Sequence, residues 1–162
     1  MWLLSMILPG LLLTSNACST TDEPMKIEEP TPAPDPQPTG SRALVVWFSC
    51  TNTTKGVADR IVEATDAATW RIEPEVAYTS EDLNYNNSSS RANREQNDPS
   101  ARPTIKGKCE NLADYDVVFL GYPIWWGKAP KVIFTFLESH DLAGKTVVPF
   151  CTSHSSGIGS SD

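Results

Sequence analysis

The sequence predicts an α/β fold, a three-layer sandwich in which helices cover both faces of a parallel sheet. Two observations carry that expectation. Residues 43–48 (ALVVWF), 117–121 (VVFLG) and 146–150 (TVVPF) are continuous apolar runs without alternation, the pattern of strands covered on both faces. The segments between them show helical periodicity, and strand–helix alternation implies right-handed crossovers between parallel strands. With 162 residues, 40% of them hydrophobic, the chain can build one core of ordinary size.

The globular part begins late. Residues 1–18 (MWLLSMILPGLLLTSNAC) carry no charge, and Pro9 and Gly10 interrupt an apolar stretch shorter than the roughly 20 residues of a spanning helix. They read as a signal peptide ending in a lipoprotein-type box, with Cys18 as the residue to be lipidated. Ser15 stands where such a box normally has leucine, and no Lys or Arg precedes the apolar run. A plain secretory signal with an incidental Cys18 is the competing reading. Residues 19–42 mix prolines with acidic groups, cannot bury apolar area, and read as a stiff extended tether. The expected location is the bacterial cell envelope, with a lipid anchor on Cys18 tying the chain to a membrane. Residues 43–162 are the expected domain.

Within that domain, residues 56–64 (GVADRIVEA) set Val57, Ile61 and Ala64 on one helical face. Residues 132–137 (VIFTFL) follow Pro130, a residue suited to a helix start. Residues 69–72 form a short edge strand. The long polar segment 73–111 is expected to hold one helix near residues 90–96 and otherwise loop. Pro149 removes a ladder hydrogen bond from the last strand, so a bulge or irregular strand end is expected there.

Charge and cysteine usage exclude several function classes. A net charge of −7 argues against nucleic acid, whose phosphates reward clustered Lys and Arg. A basic protein partner or a merely solvated acidic surface both fit. The four cysteines include no close pair and there are only two histidines, so no metal site is implied.

Three loops carry the chemistry. Ser49-Cys50-Thr51-Asn52-Thr53-Thr54 follows the first strand and feeds a helix, where backbone N–H groups and the helix dipole attract an anion. A phosphate cradle is one reading and simple capping by Ser and Thr the other. Lys55 either assists or points to solvent. No GxGxxG and no GxxxxGK[ST] is present. The loop Gly121-Tyr122-Pro123-Ile124-Trp125-Trp126-Gly127 places two adjacent tryptophans beyond a strand end, and at least one must line a cleft or cover a planar ligand. The loop from Thr152 to Gly159, rich in donors and small residues, is either a ligand loop or a flexible connection. In a parallel sheet all three emerge at one edge, giving a single site with a phosphate end and an aromatic end.

GYPIWWG and FCTSxSSGIG together resemble the flavodoxin family, in a bacterial flavodoxin-like branch, from about residue 43 onward. The resemblance implies FMN as cofactor. Its phosphate would be held by Ser49, Thr51, Asn52, Thr53 and Thr54. Its ring would lie between Pro123, Ile124, Trp125, Trp126 and Gly127 on one side and Thr152, Ser153, His154, Ser155 and Gly157 on the other. The family commonly has Thr-Gly-x-Thr in the phosphate loop, whereas this chain has Thr51-Asn52-Thr53-Thr54; asparagine tolerates left-handed backbone angles, so the turn survives. Aromatic cover and an acidic field would disfavour an anionic reduced flavin and lower its potential. Gly127 would permit the backbone rearrangement that flavodoxins use to hydrogen-bond the reduced ring. His154 either brings a proton near the ring or is a surface histidine.

The resemblance also implies a five-stranded sheet in the order 2-1-3-4-5, and the sequence ends after the fourth strand. A C-terminally truncated fold with an unprotected edge and weak FMN retention is therefore expected. In that order one strand separates those ending near Cys50 and Cys151, about 9 to 10 Å, too far for a disulfide. The implied activity is electron transfer with a redox partner protein or small electron acceptor. The alternatives are an NAD(P)H-dependent FMN-containing oxidoreductase acting on quinones or similar acceptors, and a tethered binding module without flavin.

Overall fold

Four of the five residues of strand β1 (Ala43–Trp47) are buried, and the strand accordingly lies inside the sheet. The computed structural model describes residues 42–155 and 157–158. The expected signal peptide, Cys18 and the tether up to residue 41 lie outside those residues, as do Ser156 and Gly159 of the third loop.

In chain order β1 is followed by α1 (Thr53–Thr65), β2 (Ala68–Arg71), α2 (Arg91–Asn97), a 3-10 turn (Leu112–Asp114), β3 (Val117–Pro123), α3 (Lys131–Ser139) and β4 (Thr146–Thr152). The sheet order is β2-β1-β3-β4, and every pairing is parallel. Each apolar run became a strand, and each crossover carries at least one helix.

The core is divided by the sheet. On one face Leu44, Val46, Phe48, Val118 and Leu120 pack with Val132, Ile133 and Phe136 of α3 and with Ala92 of α2. On the other face Val45 and Trp47 pack against Ala58 of α1, with Ile61, Val62, Phe119 and Phe150 around them. Helices thus cover both faces, and the tips of β1, β3 and β4 converge on one edge.

Three local expectations are corrected. The buried face of α1 is Thr54 and Ala58 flanked by Ile61 and Val62, while Ala64 is exposed. Strand β4, read as covered on both faces, has its first four residues exposed. Pro149 forms no bulge: it stays in register opposite Leu120, between the pairs Phe119 with Val148 and Gly121 with Phe150. Among the described residues β4 is an edge strand, and there a proline can turn its missing N–H side to the open side without breaking the ladder.

Gly121 is required by its neighbour across the sheet. A Cβ at this position would lie 2.1 Å from Cζ of Phe150, so the absence of a side chain lets that ring lie over the backbone of β3.

Candidate functional site

The first loop leaves β1 through Phe48, whose N–H donates to the Gly121 carbonyl at 2.9 Å, and enters α1 at Asn52. Asn52 adopts φ 64°, a left-handed angle that asparagine accepts more readily than most residues. Its carbonyl takes the Gly56 N–H at 3.0 Å, but its side chain makes no capping hydrogen bond. The N-cap residue is thus asparagine, neither serine nor threonine. The exposed Thr51 and Thr53 hydroxyls lie 3.1 Å apart at this end. Ser49 and Thr54 are buried. The Thr54 hydroxyl is bonded to that of Thr152 at 2.8 Å, joining the first loop to the third. Lys55 is drawn along the helix to Asp59 at 2.7 Å and leaves the loop without its ammonium. Cys50 is solvent-exposed, though crowding by the surrounding protein disfavours its thiolate and pushes the thiol up, against Arg71 and Arg91 nearby.

The second loop is a tight reverse turn. The Trp125 N–H donates to the Lys128 carbonyl at 2.9 Å, and the Lys128 N–H returns to the Trp125 carbonyl at 3.0 Å. Trp126 (φ 47°) and Gly127 (φ 76°) both have positive φ, the signature of a type I′ turn. For glycine that angle is free; for tryptophan it is strained. The turn sends the two indoles to different places. Trp125 is buried, edge-on to Phe48 and Tyr78 with centroids 5.6 and 5.1 Å away. Trp126 is half-buried and stacks on Tyr85, centroids 4.0 Å apart and planes 12° from parallel. Ile124 is buried and its N–H donates to the Thr152 carbonyl at 2.9 Å, while Pro123 ends β3 opposite Thr152.

The third loop runs on from Thr152 with Ser153, His154, Ser155 and Gly157 exposed. It faces the second across a cleft of about 380 Å³ lined by Tyr85, Ile124, Trp126, Gly127, Ser153, His154 and Ser155. That volume lies within the range of small-molecule pockets, roughly 300 to 1,000 Å³. Of the residues expected at the ring end, those in the cleft are Ile124, Trp126, Gly127, Ser153, His154 and Ser155; Trp125 belongs to the core.

A family model described as Flavodoxin matches residues 42–162. The chain belongs to the flavodoxin family. This flavodoxin-family chain is 53% identical to a protein from Bacteroides eggerthii DSM 20697 classed as a flavoprotein, over 75% of this chain and 76% of that one, with a TM-score of 0.74. A second such protein, from Bacteroides uniformis ATCC 8492, is 45% identical over 74% and 77% of the two chains, with a TM-score of 0.72. A flavoprotein from Lactobacillus acidophilus NCFM, solved in complex with FMN, shares the fold at 21% identity and a TM-score of 0.61, over 71% and 76%. Nothing matches among curated proteins.

Sequence reasoning missed the residues that this flavodoxin-family chain contributes from the segment between β2 and α3. Tyr85 both stacks on Trp126 and accepts its N–H at 2.7 Å. Gln96 of α2, buried, donates through Nε2 to the carbonyls of Trp125 at 2.9 Å and Ala129 at 3.2 Å. Tyr78 packs on Trp125, with the Arg91 guanidinium 4.1 Å from its ring centroid. The available signal was two tyrosines within an otherwise polar run.

Proposed function

We propose that this chain is an FMN-binding electron-transfer protein, with the phosphate at the amino end of α1 and the ring in the cleft beside Trp126. The observation that carries the reading is the pairing of the two ends. A helix start whose N-cap side chain makes no capping bond, with the exposed, mutually bonded Thr51 and Thr53 hydroxyls beside it, stands at the tip of β1, and a cleft with an aromatic wall stands at the tips of β3 and β4. The residues present fit the group. A phosphate dianion is received by neutral donors, the amides of the first turn of α1 and the hydroxyls of Thr51 and Thr53, with the helix dipole adding to the attraction. Lys55, on the same first turn, is paired with Asp59 in an exposed ion pair. A planar, mostly apolar ring matches the indole of Trp126 and the lining position at Gly127, which has no side chain.

Bound FMN supplies the one- and two-electron chemistry. The protein's residues grip, orient and shield it: Ile124 and Trp126 exclude water from one side, and Ser153, His154 and Ser155 set hydrogen-bonding groups along the other. The Lactobacillus relative solved with FMN and the two Bacteroides relatives classed as flavoproteins support the same cofactor. An open cleft suits exchange of electrons with a redox partner protein. Attachment to a membrane through Cys18 completes the reading, with the domain working on an exported tether.

Titration of the full chain with FMN tests the cofactor: flavin fluorescence should be quenched to saturation, and unquenched fluorescence would sink the assignment. With NADPH and a quinone, the loaded protein should show no direct turnover; sustained turnover would make it the oxidoreductase instead. Cys18→Ala should release the protein from the membrane fraction, and unchanged membrane retention would overturn the lipid anchor.

A further inference from the structure

The turn at Trp125–Lys128 holds a tryptophan at φ 47°, and a strained angle of this kind persists only where the surroundings over-determine it. Its own two cross-turn hydrogen bonds exist in any such turn and explain the reversal, not the choice of tryptophan there. Further restraints come from the segment between β2 and β3. The Trp126 N–H donates to Tyr85 Oη at 2.7 Å, and the two rings stack at 4.0 Å, so one residue fixes both the backbone and the side chain of Trp126. From beneath, Gln96 Nε2 bridges the carbonyls of Trp125 and Ala129, on either side of the turn.

Gln96 is costly where it stands. Its Oε1 is buried without a hydrogen-bond partner among the described residues, a penalty that methionine of similar shape would avoid. An amide at this site is accounted for by its two donated bonds. Tyr85, by contrast, is 54% exposed and adds little to the core; it lines the cleft itself and holds Trp126 by a ring stack and a hydrogen bond, whereas Gln96 is outside the lining and can act only through the turn.

We infer that Tyr85 and Gln96 are positioning residues that clamp the Trp125–Lys128 turn in its left-handed form, so that the segment between β2 and β3 governs how tightly the ring end of the cleft grips a flavin. The inference rests on the proposed placement of the FMN ring, and the clamp itself is a property of the protein without ligand. A loosened turn lets Trp126 leave the left-handed region and carries its indole off the cleft wall. The phosphate end, on a different loop, is untouched.

The test uses the full chain with Tyr85→Phe, which keeps the stack and removes the acceptor, and Gln96→Met, which keeps the shape and removes both donors. In the FMN-free protein, amide hydrogen exchange followed by NMR should accelerate at Trp126 in Tyr85→Phe and at Lys128 in Gln96→Met, about 3- to 10-fold, the equivalent of one ordinary hydrogen bond. FMN dissociation constants should rise by a similar factor, and the reduction potential of the bound flavin should move, which a purely structural role would leave in place. Unchanged exchange at Trp126 in Tyr85→Phe would overturn the clamp, and this exposed site keeps the test open even if the buried variant folds poorly. Faster exchange with wild-type FMN affinity and potential would overturn its role at the ring. Failure of the unaltered chain to take up FMN would count against the flavin placement, while the exchange measurement still decides the clamp.

Discussion

Trp125 and Trp126 are adjacent, yet one packs edge-on into Phe48 and Tyr78 and the other forms the wall of a cleft. Their substitutions should therefore separate stability from binding. Trp125→Ala is expected to lose about 3 to 5 kcal/mol in urea denaturation, as for a buried large aromatic. Trp126→Ala should lose less than about 1 kcal/mol and weaken FMN roughly 10-fold in a fluorescence titration. Equal stability losses in the two variants would refute the division. That at least one of the pair must face a cleft was legible from two indoles beyond a strand end. Which one does was not, because the answer depends on the positive φ of Trp126 and on a turn closed by Lys128, neither of which hydrophobicity encodes. Tyr85 and Gln96 were illegible for a related reason: their partners are backbone groups 41 and 29 residues away.

Among the elements, the strands were the most legible because each continuous apolar run became one; the two-sided burial such runs imply is complete in β1 and fails in the edge strand β4. The register of β4 was not legible, because Pro149 suggests an interruption when read without its neighbours. An edge position removes the conflict. The same strand shows why β3 carries a glycine: the Phe150 ring occupies the space a side chain would need. Gly121→Ala should displace that ring and destabilise the protein by about 1 to 3 kcal/mol, as overpacking does. The penalty should shrink in the Phe150→Ala background, a non-additivity measurable in a double-mutant cycle. Additive losses would show that the ring is not the obstacle.

For the molecule as a whole, one pH-sensitive group set in the core is His140, at the C-terminal end of α3. Its ring is buried between Trp70 and Phe136. Nε2 accepts the Cys109 N–H at 3.1 Å, so the ring proton sits on Nδ1, 3.0 Å from the Phe136 carbonyl. Burial holds the imidazole below its ordinary value of 6.5, outweighing the Phe136 carbonyl, and Lys108 pushes the same way. A depressed folded-state value means that the unfolded chain takes up the proton first as pH falls. The associated stability is present above about pH 6.5 and is lost on acidification through the folded value. Thermal denaturation should accordingly show a shallower loss between about pH 7 and 5 for His140→Gln than for the unaltered protein; parallel slopes would exclude this residue as the source. At this scale the layered architecture was legible in the alternation of runs, while the cover provided by residues 73–112 on one face was not, since Ala92, Cys109 and Leu112 are isolated apolar residues in polar sequence.

The hydroxyls of Thr54 and Thr152, 2.8 Å apart, couple the start of α1 to the strand end from which the third loop departs. Fragments of a mononucleotide would not dock there as strangers. If the proposed placement holds, inorganic phosphate on the helix start should steady the wall that riboflavin meets, and riboflavin should steady the seat of the phosphate. The whole ligand should then bind more tightly than the separate affinities of phosphate and riboflavin predict, and Thr54→Val should remove that surplus.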